Sequence, residues 1–583
     1  MNIIGISCFY HDAAACLIQN GKLLSAAQEE RFSRIKHDKS FPIKTIAFCL
    51  EANNLSISDI DLIVFYEKPF IKFDRIINTL LNQAPFTFSL FRSTLMSWLK
   101  SKLWVSSIIK EELNYNGEII YSEHHEAHAA GSFFTSPFEE AVIITIDGVG
   151  EKACTSISIG KDNRIDIIKE QHYPHSIGLL YSAFTQYCGF KVNSGEYKLM
   201  GLAPYGKPIY KQLILEKIVT YDDSGLVHLD LTYFSFEKGT STINSKFCKL
   251  FGRKQRDLDD KMEDFYCDIA SSIQAVIEDI ICTILTHAKA LTGLNNLCLS
   301  GGVALNCKAN GSLLGKGIFE NIWVQPASGD SGCSVGAAYI GWNHYLKKER
   351  VYLKNSLIDQ AYLGSSYNNE AIEKCLISYN LTYVKLDTVM LCDTVASALQ
   401  QKQIVGWFQD EMEFGPRALG HRSILASPLF EDMKKHVNLN IKFREGFRPF
   451  APIVLEEDCN DWFDMKEILS KYMLFTVKSD KKNEIPSCIH EDNTARVQTL
   501  NREENVLLHE LITNFKSKTG CPVLINTSFN VRGEPIVESP LDGLRCFFHT
   551  KMDLLVLGNF VLTKSDNVKV DERLIVNQSY ELD

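Results

Sequence analysis

One strand–turn–strand pattern occurs twice in this sequence. Its first copy is NIIGIS, AACLIQ and KLLSAAQ, joined by the turn CFYHDA and by the tight turn Asn20-Gly21. Its second copy is AVIITI, CTSISIG and IDIIKEQ, joined by DGVGEKA and KDNR. In each copy a polar turn, His11-Asp12 or Asp147-Gly148, follows directly after an apolar strand. Such a duplication predicts two like halves with a cleft between their polar turns.

At 583 residues the chain exceeds what one hydrophobic core supports. Helical patterns follow the first copy, in FPIKTIAFCLEANNL and across the aromatic-rich 70–115. A long one covers MEDFYCDIASSIQAVIEDIICTILTHAKALTG, before the strand NLCLS and the loop GGVALN. A glycine pair after a buried strand lets backbone approach a phosphate, because no Cβ intervenes and a helix N-terminus offers free N–H groups. The chain turns polar near residue 350, and a second alternation of strands and helices follows. The expected domains are therefore 1–350 and 351–583.

The net charge of -10 counts against a large nucleic-acid footprint, which needs clustered Lys and Arg. The seventeen cysteines are odd in number, scattered and often in apolar runs, and no C-x-x-C pair occurs. They read as free thiols of a reducing cytoplasm, without a zinc finger. No basic start followed by an apolar stretch marks a signal peptide, and no apolar run of about 18 residues is expected to cross a bilayer.

The stretch SEHHEAHAAGSFF gathers His124, His125 and His128. On a helix, His124 and His128 fall on one face, within reach of one ion, and His125 points elsewhere. Asp147 ends an apolar strand, and Asp330 lies in the glycine-rich turn QPASGDSGCSVG. Two imidazoles and two carboxylates suit a divalent ion such as iron(II), manganese or zinc, and ligand softness does not choose among them.

In order and spacing, CFYHDAAACL, QEERFSRIKHDK, HHEAHAAGSFF, IDGVGE, SIGLLYSAFTQYCGF, SGEYKLMGLAPYG, LSGGVALN and GDSGCSVGAA resemble the NodU/CmcH family of O-carbamoyltransferases. EFGPRALGHRSILASP, NIKFREGFRPFAP, DNTARVQT and LINTSFNVRGEPIV extend the likeness to nearly the whole chain. The resemblance implies an α/β protein. Its first domain would be a duplicated actin/hexokinase-type (ASKHA) domain that binds metal and ATP. Its second would be an α/β YrdC-like domain that handles carbamoyl phosphate. It implies ATP-dependent transfer of a carbamoyl group, through a carbamoyl-adenylate, to a hydroxyl of a small natural product. Iron(II) stands first among the metals, ahead of manganese, magnesium and zinc. The implied partners are carbamoyl phosphate, ATP and a small-molecule alcohol, with neither nucleic acid nor membrane, and a homodimer is allowed.

Carried over residue by residue, His124, His128, Asp147 and Asp330 resemble the metal ligands, and His11 the catalytic base. Lys36, Gly302 and Asn306, with Asp147, resemble nucleotide contacts. Arg417, Arg444, Arg448, Arg496, Asn526 and Ser528 resemble the carbamoyl phosphate site. The chemistry is coherent with the residue types. A small dianion needs fixed cations, and arginine's planar fork suits phosphate oxygens. NLNIKFREGFRP supplies Lys442 beside Arg444 and Arg448, which share a face if the helix extends that far, although Gly446 and Pro449 count against it. Arg532, in NVRGEP, is a further candidate. An alcohol nucleophile wants a base near neutrality, which histidine provides.

Two other readings compete. A tRNA threonylcarbamoyladenosine-type synthase would share the metal and ATP sites but needs a basic surface, against which the net charge counts. A non-catalytic nucleotide-binding regulator would have no use for His11 or the arginines of the second half.

Overall fold

A computed structural model of the chain describes residues 1–239, 241–258, 260–351, 361–466 and 468–575. The chain forms two compact units, Met1–Glu29 with Asp38–Lys354, and Glu30–His37 with Asn355–Asp583. The boundary expected after residue 350 runs into 352–360, outside the described residues.

The first unit contains two five-stranded sheets among its described residues. One holds β1 (Asn2–Ser7), β2 (Ala14–Gln19), β3 (Lys22–Gln28), β4 (Leu62–Phe65) and β5 (Glu118–Tyr121), in the order β3-β2-β1-β4-β5. The other holds β6 (Glu140–Ile146), β7 (Ala153–Lys161), β8 (Arg164–His172), β9 (Asn296–Ser300) and β10 (Asn321–Val324), in the order β8-β7-β6-β9-β10. The pairing senses also match. β1 is antiparallel to β2 and parallel to β4, as β6 is antiparallel to β7 and parallel to β9. The two strand patterns read from the sequence thus occupy equivalent places in two sheets of one topology. At the first tight turn, Asn20 and Gly21 both have positive φ (50° and 80°), the conformation that Asn-Gly adopts at low cost.

Four helices pack on these sheets: α1 (Ile43–Ala52), α2 (His124–Phe133), α3 (Asp264–Thr292) and α4 (Cys333–Tyr339). α3 departs from the expectation that no segment is apolar enough to span a bilayer. It has 29 residues and a mean hydropathy of 1.5 over its best window. Its apolar face is spent on the core instead, since 61% of that window is buried, Ile273, Ile277, Ile280 and Ile284 included. α2 and α4 cross at very short range. A Cβ at Gly336 would lie 1.8 Å from the Ala127 carbonyl oxygen, so only glycine fits there. That crossing carries the turn before α4, with Asp330, toward the histidine face of α2.

The second unit is built on an eight-stranded mixed sheet. Its strands are β11 (Val384–Lys385), β12 (Val405–Phe408), β13 (Arg422–Ala426), β14 (Ala451–Leu455), β15 (Gln498–Leu500), β16 (Val523–Ser528), β17 (Leu554–Leu557) and β18 (Phe560–Thr563). Their order is β11-β18-β17-β12-β13-β16-β14-β15. Trp407, Ile424, Ile453 and Ile525 are fully buried in it.

Two sequence expectations need correction here. Residues 30–37, placed by the sequence reading in the first domain, belong to the second unit. Their arginines hold them there. Arg31 donates to the Gly415 carbonyl at 2.7 Å, and Arg34 donates to the Ile536 and Pro535 carbonyls and to Glu534 at 2.7–3.0 Å. Lys36 goes with them. The helix Met433–Asn440 also stops before Arg444, so Arg444 and Arg448 lie in the loop beyond it rather than on one helical face. Phe443, at φ 48°, is incompatible with continuing the helix.

Candidate active site

In the first unit, α2 presents His124 and His128 on one face, with ring centroids 4.7 Å apart. Its N-terminus is tied down by Glu151, whose two carboxylate oxygens each accept the His124 amide N–H at 3.1 Å. Asp147, just beyond β6, puts Oδ2 3.1 Å from His124 Nε2. Asp330 Oδ1 lies 3.8 Å from both His124 Nε2 and His128 Nε2. One ligand atom from each of these four residues lies within 4.8 Å of the others. A second set joins His124 and His128 to Cys333, a neighbour the sequence reading did not single out, although it stands three residues after Asp330.

The surroundings of this set suit a cation. His128 Nδ1 lies 3.4 Å from the Ser300 hydroxyl, which turns Nε2 toward the carboxylates. That Nε2 is buried with no hydrogen-bond partner among the described residues. Burial first, then the neighbouring His124 charge, holds His128 well below the ordinary histidine range, in the neutral form that ligates metals. For His124 burial acts in the same sense, but the Asp147 hydrogen bond and the Asp330 charge outweigh it and raise the group to about 9. Burial pushes the Asp330 carboxyl up to about 6, and the adjacent Asp147 charge adds to this. Asp147 is driven far down by His124 and His128 against its own burial. Two acids and two imidazoles out of water, with an orphaned nitrogen, fit a divalent ion that would supply the missing positive charge. His125, on another side of α2, is turned away. Its Nδ1 lies 2.6 Å from the Thr145 hydroxyl, which is linked in turn to Ser156 at 2.6 Å.

The glycine pair after β9 has a local cause. Gly301 has φ 91°, and a Cβ there would lie 2.2 Å from the Ile146 carbonyl oxygen. This close approach lets the Gly302 amide donate to Asp147 Oδ1 at 3.0 Å. Gly302 therefore orients the aspartate through its backbone. Asn306 caps the next helix, accepting the Ala309 amide N–H at 3.0 Å, and pairs with Gln274 through two amide hydrogen bonds of 3.0–3.1 Å. Its side chain is occupied by structure.

His11 lies in the polar turn after β1, its Nδ1 2.8 Å from Asp12 Oδ2. Burial disfavours its charge, but Asp12 and then Asp330 overcome that and raise His11 to about 9. That lies above the near-neutral pKa expected of such a base from the sequence.

In the second unit, the expected residues form two groups. Lys442 sits beside Ser528. Its Nζ donates to the Ser528 carbonyl at 2.6 Å, to the Asn530 carbonyl at 2.9 Å and to Asn530 Oδ1 at 2.6 Å. Three donors are thus engaged in holding the turn after β16. Burial, then the charges of Arg444, Arg448 and Lys36, hold Lys442 well below the ordinary lysine range. Those same charges place Lys36 in this basic group. Lys36 Nζ donates to the Glu534 carbonyl at 3.4 Å. Arg448 and Arg532 share Glu445, at 3.6 and 3.4 Å, and Arg444 donates to Asn438 Oδ1 at 2.7 Å. In the other group, Asn526 donates to the Ala418 carbonyl at 3.2 Å and to Gln498 Oε1 at 2.7 Å. It therefore joins the loop of Arg417 to the strand that follows Arg496. Glu151, Ser300, Arg31 and Glu413 were missed by sequence reasoning. Their neighbours in IDGVGE, LSGG, QEERF and EFGPR were the available signal.

The sequence model described as Carbamoyltransferase N-terminus matches residues 2–339, and that described as Carbamoyltransferase C-terminus matches residues 396–564. The chain belongs to the carbamoyltransferase family. This carbamoyltransferase is 44% identical to an uncharacterized protein of Synechocystis sp. over 100% of both chains. It is 34% identical to the nodulation protein NolNO of Sinorhizobium fredii, over 95% of this chain and 79% of that protein. Among solved structures, HypF of T. kodakarensis shares 14% identity at a TM-score of 0.30, over 59% of this chain and 48% of that one, a likeness too slight to carry an argument.

Proposed function

We propose that this enzyme is an ATP-dependent O-carbamoyltransferase acting in the cytoplasm on a hydroxyl of a small natural product. The observation that carries the reading is the division of chemistry between the units. The first holds two buried histidines beside two partly buried aspartates, and the second holds a basic group around Arg444, Arg448 and Arg532. We read the first unit as a duplicated actin/hexokinase-type domain for ATP and metal. The common topology of its two sheets supports this. The second we read as a YrdC-like domain for carbamoyl phosphate. Seventeen free thiols, fourteen of them buried, suit a reducing compartment.

In this scheme the arginines neutralise carbamoyl phosphate while water releases its phosphate. The resulting carbamate oxygen bonds to the α-phosphorus of ATP and pyrophosphate leaves, giving carbamoyl-adenylate. The alcohol oxygen then bonds to the carbamoyl carbon as the bond to AMP breaks, and His11 takes the hydroxyl proton. His124, His128, Asp147 and Asp330 would hold a divalent ion, iron(II) first among the candidates. Such an ion, when bound, screens phosphate charge. His11 must lose its proton before it serves, and Asp12, 2.8 Å from Nδ1, orients the ring. Carbamoyl phosphate-dependent exchange of labelled pyrophosphate into ATP tests the first half-reaction. No exchange with active-site-intact protein would remove the adenylate route.

A further inference from the structure

Arg417 is carried by the loop between Glu413 and Arg422, EFGPRALGHR. Gly415 and Gly420 lie in this loop at φ 115° and 114°, so its intrinsic freedom is high. Side chains nevertheless hold three of its amides and three of its carbonyls. Glu413 is 1% exposed. Its Oε1 accepts the amide N–H groups of Leu419, His421 and Arg422 at 2.7, 2.9 and 3.1 Å. The carbonyls are engaged as well. Gly415 is held by Arg31 at 2.7 Å, Leu419 by the Tyr362 hydroxyl at 3.0 Å and by Gln498 at 2.8 Å, and Gly420 by the Trp407 indole at 3.0 Å.

A buried carboxylate is a costly neighbour for a site that binds a dianion, since it lowers the local positive potential. Three amide N–H groups converging on Oε1 offset part of that cost, while Oε2 is buried with no hydrogen-bond partner among the described residues. They also fix the loop's curvature from inside, which no neutral residue of similar size would do as strongly. Fixing the loop before the ligand arrives removes an ordering cost that binding would otherwise bear.

We propose that Glu413 is a positioning residue: with Arg31 as its outer brace, it pre-forms the loop that presents Arg417 to carbamoyl phosphate. The inference rests on Arg417 being a carbamoyl phosphate contact, as read above. It also gives residues 30–37 a task, because a segment from far upstream in the chain completes the loop.

The test is carbamoyl phosphate-dependent ATP–pyrophosphate exchange in the full chain, with KM measured separately for each substrate. Glu413→Ala should raise the carbamoyl phosphate KM by about tenfold, the effect of freeing one residue's backbone, and leave the ATP KM unchanged. Glu413→Gln keeps an oxygen acceptor without the charge and should restore part of the loss. Tyr362→Phe removes one brace and no core volume. It should raise the same KM by about 2–10-fold, the range for one hydrogen bond. Arg417→Ala is measured alongside. If it leaves the carbamoyl phosphate KM unchanged, the reading of Arg417 fails. If it raises that KM while Glu413→Ala and Tyr362→Phe do not, the positioning role is overturned. Equal losses in both KM values for Glu413→Ala, unrelieved in Glu413→Gln, would also overturn it.

Discussion

His124 Nε2 lies 3.1 Å from Asp147 Oδ2, so the first turn of α2 is coupled directly to the end of β6. His124 is buried and Asp147 partly so, and Asp330 approaches the same nitrogen at 3.8 Å. An imidazole drawn by two carboxylates can be satisfied by its own proton or by a metal ion in the proton's place.

Removing one ligand separates those two cases. His128→Ala should lower bound metal at least as much as loss of an outer-shell partner does, which is about 10–100-fold in affinity. Metal content after dialysis, measured by elemental analysis, checks this. Full occupancy in the His124→Ala/His128→Ala double variant would contradict the ligand assignment.

Arg448→Ala should weaken carbamoyl phosphate use and spare ATP binding, because Arg448 lies in the second unit's basic group. Loss of a hydrogen bond between charged groups corresponds to about 1.5–3 kcal/mol. Titration of ATP and carbamoyl phosphate separately into the variant is the check. Loss of ATP affinity with carbamoyl phosphate binding intact would reverse the assignment.

The pH dependence follows from His11, raised to about 9 by Asp12 against its burial. A base must be unprotonated, so transfer to the alcohol should rise with pH and level off above about 9. Asp12→Asn removes the charge that raises the group, so the rising limb should move to lower pH. The stability term has the opposite sense. A histidine raised in the folded state stabilises fully below its unfolded pKa of about 6.5, and that contribution is lost as pH rises through about 9. A pH–rate profile unchanged in His11→Ala would exclude His11 as the base.

Gly301→Ala should destabilise the first unit by about 1–3 kcal/mol from its backbone conformation alone, and by more from overlap with the Ile146 carbonyl oxygen. It should also disturb metal binding, since the adjacent Gly302 amide holds Asp147. Thermal unfolding with and without added metal measures both effects. A variant as stable as the parent would mean that the close approach relaxes freely.

Much of the fold and part of the site are legible in the sequence because they depend on local pattern. Apolar runs and an Asn-Gly turn mark β1 to β3, and apolar runs with the turns DGVGEKA and KDNR mark β6 to β8. The four-residue spacing of His124 and His128 places them on one helical face wherever that helix packs. What decided the rest is contact between residues distant in the chain. The glycine-rich turn marks Asp330 in the sequence, but Asp330 reaches the histidines only because α4 crosses α2 at Gly336, a contact between distant segments. Residues 30–37 read as a continuation of the first domain, yet Arg31 and Arg34 find their carbonyl and carboxylate partners hundreds of residues downstream. Lys442, one of several cations in a basic stretch, is committed to Ser528 and Asn530 because burial leaves its ammonium no water and those oxygens are what surround it. The proton on His11 depends likewise on how deeply its turn is buried and how close Asp12 comes. A sequence gives the residue types for such a balance, and only the packed chain sets the distances that determine its outcome.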